Sequence, residues 1–328
     1  MKKAGWASAL VAVILLAVLL FTVSPAQAQQ PTKIPWIGYL AATGSGPSLA
    51  FIQGLRDLGY VEGKNIAIVF RTAEGKSERN ADLAAELVRL KVDLIVTDSS
   101  AAALGLKKAT STIPIVMMTS TDPVGSGLIA SFARPGGNVT GLTSIAGEIG
   151  GKHLELLKEI VPRLNRVAIL MAEGRANDLF IKETELPAQA LKIELLSFVF
   201  GGPDEFEGTF RAMTKERVNG LLVRLGSRGS SGYDKRVAEL AAKSRLPSIS
   251  YATSWADAGG LMSYGADFNI SDRRAATYVD KVLKGTKPVD LPVEAPMKFQ
   301  MTINLKTAKQ IDVTIPPNVL ARVDRVIK

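Results

Sequence analysis

Short apolar runs rich in β-branched residues alternate along the first half of the chain with segments whose apolar residues recur every three or four positions. The runs predict strands at residues 34–40, 66–70, 93–97 and 114–118, and the periodic segments predict helices at 48–58, 77–90 and 101–109. Strands that alternate with helices are typical of βαβ units, which build a parallel sheet with helices on both faces.

The alternation starts again after a glycine-rich passage at residues 136–141. It predicts helices at 148–160, 177–191, 204–216, 233–244 and 272–284, and strands at 166–171, 194–199, 220–224, 247–250 and 261–264. Asp204 and Asp272 are the predicted N-caps of two of these helices, and Gly285 is predicted to end the last one. The predicted fold class is α/β, with two similar halves joined near residues 141–147.

The first 28 residues have the pattern of a secretory signal peptide. Lys2 and Lys3 precede an apolar stretch at residues 9–23, and a small-x-small cleavage pattern follows at residues 26–28. A membrane anchor is the alternative, but the stretch is about 15 residues long and a span needs about 20. We therefore expect a periplasmic protein that begins near Gln29. Because the chain has no cysteine, we do not expect a lipid anchor.

Composition limits the classes of function. Some 47% of the 328 residues are hydrophobic and 22% are charged, which is enough for two globular domains. The net charge of +9 is spread along the chain without a block of like charges, so a solvated basic surface is expected and no nucleic-acid partner. An anionic ligand or a membrane surface is the alternative reason for the charge.

Catalytic and cofactor chemistry is poorly supplied. With one histidine and no cysteine, neither a zinc site nor a Cys–His nucleophile is expected, and His153 is interpreted as a surface or packing residue. The glycine pairs at residues 44–46 and 125–127 do not continue into a dinucleotide fingerprint. We expect no catalytic residue, no metal and no cofactor.

Small polar residues follow the predicted strands of the first half. Because ligands of parallel sheets bind beyond the carboxyl ends of the strands, Ser45, Ser99, Ser100 and Asp122 are candidate ligand contacts. The alternative for each is ordinary turn or helix-cap chemistry, and for Asp122 it is a cap on a helix beginning near Val124.

Aromatic residues are scarce, at 6% of the chain, and several of them stand at or after strand ends. Tyr39, Tyr251, Trp255 and Tyr264 are either core residues or flat walls against which a ligand ring stacks.

Long segments of the chain resemble one family. The segments include FIQGLRDLGYVEGKNI, DPVGSGLIASFARPGGNVTGLTS, GKHLELLKEIVPRLNRVAIL, GGLMSYGADF and YVDKVLKGTKPVDLPVEAPMKF. They are similar to the ABC transporter substrate-binding proteins of the tryptophan/tyrosine type, over about residues 34–327. The resemblance implies a type I periplasmic binding protein: two lobes, each a parallel sheet flanked by helices, around a ligand cleft and joined by three crossovers.

The resemblance also implies boundaries and partners. The N-terminal lobe would comprise residues 29–143 plus about 266–297, and the C-terminal lobe residues 144–265 plus about 298–328. The protein would capture an amino acid or carboxylate ligand by cleft closure and deliver it to an ABC permease in the inner membrane. Alternatives are a sensory domain that signals to a membrane kinase and, less favoured, an exported α/β enzyme.

The expected ligand contacts from the second lobe or the hinge are Glu148, Arg224, Tyr251 and Tyr264. The chain departs from the family pattern at residues 99–101, 172–175 and 226–232, where Arg175 and Arg228 add positive charge beside Arg224. These arginines favour an anionic ligand, whereas Asp122 in its intact sequence block suits a ligand ammonium group.

Overall fold

The computed structural model describes residues 34–44, 46–144, 147–172, 176–225, 232–296 and 298–328. The predicted signal peptide at residues 1–28 lies outside this part of the chain. Among the described helices, none has the length and the hydropathy that a membrane crossing needs.

The first sheet has five parallel strands in the order β2-β1-β3-β4-β5. They are β1 (Trp36–Ala41), β2 (Ala67–Thr72), β3 (Leu94–Thr97), β4 (Ile115–Met117) and β5 (Val139–Gly141). The helices between them are α1 (Leu49–Asp57), α2 (Asn80–Arg89) and α3 (Ser100–Ala109), and a 3₁₀ turn at Ser77–Arg79 precedes α2. These elements match the predicted ones closely, because the apolar runs of β1, β3 and β4 are buried on both faces of the sheet, while the edge strand β2 is partly buried.

Strand β5 was not predicted, since it lies in the glycine-rich passage. Gly141 adopts a φ of +127°, and a Cβ at this position would lie 2.0 Å from the carbonyl oxygen of Met117. The glycine is therefore required by the close pairing of β5 with β4, and the passage adds a sheet strand before the chain leaves the first half.

The second sheet has seven strands in the order β12-β11-β10-β9-β8-β6-β7. They are β6 (Arg166–Ala172), β7 (Glu194–Phe200), β8 (Gly220–Arg224), β9 (Ser248–Ser250), β10 (Met262–Ala266), β11 (Phe299–Asn304) and β12 (Arg325–Ile327). The α-helices in this part of the chain are α4 (Gly147–Ile160), α5 (Ala176–Ala190), α6 (Phe206–Lys215), α7 (Asp234–Lys243), α8 (Phe268–Leu283), α9 (Leu305–Gln310) and α10 (Pro317–Leu320). Of these, α8 packs on the first sheet. Strand β11 runs antiparallel to β10, so this sheet is not wholly parallel as predicted.

The caps predicted by sequence have different outcomes. Asp272 lies inside α8, whose N-cap is Asp267, because the chain turns into the helix directly after β10. The side chain of Asp272 is buried and accepts a hydrogen bond from the Ser48 hydroxyl at 2.5 Å. Asp204 lies within a short 3₁₀ helix, Pro203–Glu205, and does not cap α6. Gly285 ends α8 with a φ of +95°, as predicted.

In the described residues the chain passes between the sheets three times: between β5 and α4, between β10 and α8, and before β11. Helix α8 packs on the first sheet beside α1, where a Cβ at Gly54 would lie 2.9 Å from the Cβ of Ala276. One residue, Asp267, separates the end of β10 from α8. The crossovers therefore adjoin the carboxyl ends of β5 and β10, one in each sheet, and strand ends of this kind are where open α/β sheets bind ligands.

Candidate functional site

A group of hydroxyls lines the carboxyl edge of the first sheet. Ser99 is the N-cap of α3, and its side chain accepts from the backbone N–H of Ala102 at 3.4 Å. The hydroxyl of Ser100 lies 3.4 Å from that of Ser120 and accepts from the N–H of Thr121 at 3.1 Å. Ser100 is thus joined to the loop after β4, and both serines lie at the positive end of the α3 dipole, which favours an anionic or polar ligand group.

The same loop is bonded to the first crossover. The carbonyl oxygen of Ser120 accepts from the hydroxyl of Thr143 at 2.6 Å and from the N–H of Ser144 at 2.8 Å. Ser120 is almost fully buried, so these bonds are shielded from water. A ligand that contacts Ser120 is therefore one hydrogen bond away from a segment that joins the lobes, and a ligand that contacts Ser100 is two hydrogen bonds away.

Asp98, which we did not predict as a site residue, organises this edge as well. Its Oδ1 accepts from the N–H of Ala42 at 2.9 Å and so connects the loops after β1 and β3. Its position directly after a buried strand was the available signal, as it was for Ser99. The predicted contact Ser45 in the first of these loops lies outside the described residues.

Asp122 shapes its own turn. Its Oδ1 accepts from the N–H of Gly125 at 2.7 Å, and its carbonyl oxygen accepts from the N–H of Ser126 at 3.1 Å. A Cβ at Gly125 would lie 2.0 Å from Oδ2, so the carboxylate sits directly over the glycine. No helix begins at Val124, so Asp122 caps a turn and not the helix that the alternative prediction expected. A carboxylate offers about four lone-pair sites, so this bond leaves capacity for a ligand donor.

Three predicted residues of the second sheet form one row. Val223 pairs with Ser250, and Ser250 pairs with Ser263, so the next residues along β8, β9 and β10 are Arg224, Tyr251 and Tyr264. Side chains at equivalent positions of neighbouring parallel strands share a face. This row lies at the carboxyl edge of the second sheet, on the face that α4 and α5 cover.

Arg224 lies between aromatic rings. Its guanidinium carbon is 4.1 Å from the ring centroid of Phe180 on α5 and 5.1 Å from that of Tyr251. The Nε atom is buried, and it has no hydrogen-bond partner in the described part of the chain. Burial lowers the pKa of Arg224, and the nearby Tyr251 partly opposes this. The site therefore holds a largely desolvated cation.

His153 and Tyr264 continue this cluster toward the third crossover. The Nε2 of the buried His153 donates to the carbonyl oxygen of Tyr264 at 2.7 Å, which fixes the neutral tautomer. Burial lowers the pKa of His153 to about 4, although the bond to Tyr264 raises it. The Tyr264 ring stacks on Phe299 with centroids 5.6 Å apart, and both rings line a groove of about 290 Å³. His153 is thus a packing residue that positions Tyr264.

Two other aromatic residues belong to the core. Trp255 is fully buried in the cluster between the second sheet and helices α6 and α7, so the alternative of a ligand wall is wrong for it. Tyr39 is also buried, packs against Phe51 and donates to the sulfur of Met118 at 3.3 Å. Tyr39 lies within β1, and Trp255 lies in the turn after β9, so their burial depends on tertiary packing that a position near a strand end does not reveal.

Three further predicted side chains lie outside the described part of the chain. Arg175 and Arg228 lie outside the described residues, and Glu148 lies in the first turn of α4 but its side chain is outside the described part. Phe180 was missed, because an aromatic residue on an amphipathic helix has the ordinary pattern of a core residue.

Among the described residues, no group of three or more His, Cys, Asp or Glu side chains is arranged to hold a metal ion.

Comparison with known proteins identifies the family. The sequence profile described as "ABC transporter substrate binding protein" matches residues 46–327. A tyrosine-binding protein of Clostridioides difficile (strain R20291) is 27% identical over 263 residues, which are 80% of this chain and 75% of that protein.

Two solved structures share the fold with a TM-score of 0.80 and 28% identity. One is a conserved domain protein from Vibrio cholerae, with 90% of this chain and 100% of that chain covered. The other is an ABC domain in complex with L-Trp from Streptococcus pneumonia, with 89% and 99% covered. Substrate-binding proteins of ABC transporters work outside the cytoplasm, in agreement with the expected export. The predicted family and fold class are confirmed: this chain belongs to the ABC transporter substrate-binding protein family, as the ligand-binding component of an importer with the two-lobed α/β fold of periplasmic binding proteins.

Proposed function

We propose that the protein captures an aromatic amino acid between two lobes that close on it, and hands it to an ABC permease. The lobes would comprise residues 29–143 plus about 266–297, and 144–265 plus about 298–328. The ligand contacts would be Ser99, Ser100 and Asp122 from the first lobe, and Arg224, Tyr251 and Tyr264 from the second. Closure by ligand contacts to both lobes is a shift between two conformations.

The proposal rests on the different chemistry of the two sheet edges that adjoin the crossovers, one polar and the other cationic and aromatic. The first sheet presents hydroxyls and a helix N-terminus around Ser100 and Ser120. The second presents a cation and the rings of Tyr251 and Tyr264. An amino acid with an aromatic side chain needs polar contacts at one end and flat apolar contacts at the other.

The relatives support the same ligand class. One is named a tyrosine-binding protein, and one solved structure holds L-Trp, at 27% and 28% identity. The family and the signal-peptide pattern support delivery from the periplasm, with residues 1–28 removed on export.

The test is a thermal-shift panel on the mature chain, because a ligand that binds the folded state alone raises its melting temperature. The panel pairs L-tryptophan and L-tyrosine with their deaminated acids, 3-(indol-3-yl)propionate and 3-(4-hydroxyphenyl)propionate. We expect the amino acids to raise the melting temperature more than the matching acids. Stabilisation by the acids alone would show that no ligand ammonium is recognised, and turnover of a bound compound would contradict a binding role.

The role of Asp122 is tested by two variants that separate cap from charge. Asp122→Asn keeps an oxygen that accepts from the Gly125 N–H but removes the negative charge, whereas Asp122→Ala removes both. If Asp122 binds the ligand ammonium, both variants weaken amino-acid binding at least about tenfold, since a hydrogen bond to a charged group contributes about 1.5–3 kcal/mol. If Asp122 only caps the turn, Asp122→Asn binds like the wild type.

A further inference from the structure

We infer that Arg224 is the residue that selects a carboxylate: its guanidinium binds the carboxylate of the ligand, while Phe180 and Tyr251 hold it in position. The inference rests on the proposed cleft and deepens it by assigning one charge of the ligand to one residue.

The charge of Arg224 favours a carboxylate partner. The guanidinium is largely desolvated, and none of the described carboxylates forms an ion pair with it. A buried charge without a counter-charge is destabilising, and buried arginines are normally paired. By contrast, other arginines of the chain do have partners, as in the bidentate pairs of Arg274 with Glu294 and of Arg325 with Asp257. A ligand carboxylate would supply the missing charge at Arg224.

The geometry around the guanidinium favours the same partner. Arginine donates in the plane of its guanidinium, while aromatic rings attract it across its faces. The Phe180 ring, 4.1 Å away, therefore stabilises the cation without using its N–H groups. The Nε donor, which has no hydrogen-bond partner among the described residues, can then take part in a bidentate bond to a carboxylate, which is among the strongest hydrogen-bonded pairs in proteins.

The support of Phe180 is itself rigid. It lies on α5, and α4 approaches α5 so closely that a Cβ at Gly150 would lie 3.0 Å from the Phe180 ring and 2.0 Å from the Thr184 hydroxyl. Thr184 is fully buried and donates to the carbonyl oxygen of Phe180 at 2.6 Å. The platform under Arg224 is thus fixed before a ligand arrives, which lowers the entropic cost of binding.

The competing anchor is the N-terminus of α3 with Ser100, which also suits an anion. The experiment compares these two anchors. Affinities of L-tryptophan, L-tryptophanamide and 3-(indol-3-yl)propionate are measured by calorimetry for the wild type, Arg224→Met, Arg224→Lys and Ser100→Ala. Methionine keeps the apolar stem of arginine, and lysine keeps the charge without the planar fork.

We expect the wild type to bind L-tryptophan about 30- to 100-fold more tightly than L-tryptophanamide, as for a close charge pair at a binding site. Arg224→Met should abolish this preference, Arg224→Lys should keep part of it, and Ser100→Ala should keep most of it. A preference that survives in Arg224→Met but disappears in Ser100→Ala overturns the inference in favour of the α3 anchor. If only the propionate binds, and binds through Arg224, the inference stands although the amino-acid proposal fails. If no carboxylate binds, both fail.

A measurement without ligand checks that Arg224 is not a structural residue. Because the charge has no carboxylate partner among the described residues, Arg224→Met should melt at the wild-type temperature or above it. A clear fall in the melting temperature of Arg224→Met, with an unchanged preference for L-tryptophan over L-tryptophanamide, would identify the arginine as a packing residue only.

Discussion

The contact of α4 with α5 gives a prediction about stability that depends on one glycine. A Cβ at Gly150 would lie 2.0 Å from the Oγ1 of Thr184, where the ordinary separation of non-bonded atoms is about 3.5 Å. Both residues are buried, so Gly150→Ala forces the two helices apart. Such overpacking costs about 1–3 kcal/mol, and the better helix propensity of alanine returns about 0.5–1 kcal/mol. We expect a net destabilisation of about 1–2 kcal/mol.

The assay is thermal unfolding followed by circular dichroism. A loss of this size lowers the melting temperature by about 2–6 °C in a protein of this length. The matched control is Gly208→Ala on α6, where a Cβ has no neighbour nearer than 3.9 Å and the residue is exposed. The control should be neutral or slightly stabilising, because it gains helix propensity without a steric conflict.

The steric origin is tested by a second change. Thr184→Ala removes the hydroxyl that a Cβ at residue 150 would meet, so Gly150→Ala with Thr184→Ala should recover part of the stability lost by Gly150→Ala alone. A melting temperature of Gly150→Ala equal to that of the wild type would refute the close approach of the helices. Since Phe180 lies at the same contact, Gly150→Ala should also weaken the ligand affinity assigned to Arg224.

Two titratable groups predict how stability changes with pH. The folded-state pKa of His153 is about 4, below its ordinary value near 6.5. As the pH falls, the unfolded chain therefore binds the proton before the folded protein does. The free energy of unfolding should fall by about 2–3 kcal/mol between pH 6.5 and pH 4. Denaturant unfolding at several pH values should show this loss. His153→Gln keeps a donor for the carbonyl oxygen of Tyr264 and should not show it. The same dependence of stability on pH in both proteins would contradict the burial of a neutral imidazole. The ion pair with Arg274 lowers the pKa of Glu294 beside the first crossover, so its stabilisation is present above the ordinary carboxyl pKa and is lost as the pH falls through the lowered one. Because both side chains are partly exposed, Glu294→Gln should cost less than about 1 kcal/mol at pH 7. This difference from the wild type should shrink as the pH falls through the lowered pKa of Glu294, and a difference that does not change with pH would point to backbone damage instead.

The sequence by itself determined the elements and the family. Local preferences are written in neighbouring residues: β-branched runs for the strands, helical periodicity between them, and Gly285 where α8 ends in a left-handed turn. These signals specified two α/β halves, and the long segments around Asp122 and His153 identified the family whose profile matches the chain.

Only the tertiary structure decided which residues meet, since contacts between distant segments depend on strand register and helix packing. Asp272 has the composition of a helix cap, yet it binds Ser48, 224 positions earlier, because α8 packs beside α1. Arg224, Tyr251 and Tyr264 become neighbours through the register of three parallel strands. Phe180 reaches Arg224 from α5, which packs closely against a glycine of α4. A cation without a carboxylate partner among the described residues is a property of this packing, and no local pattern in the sequence records it.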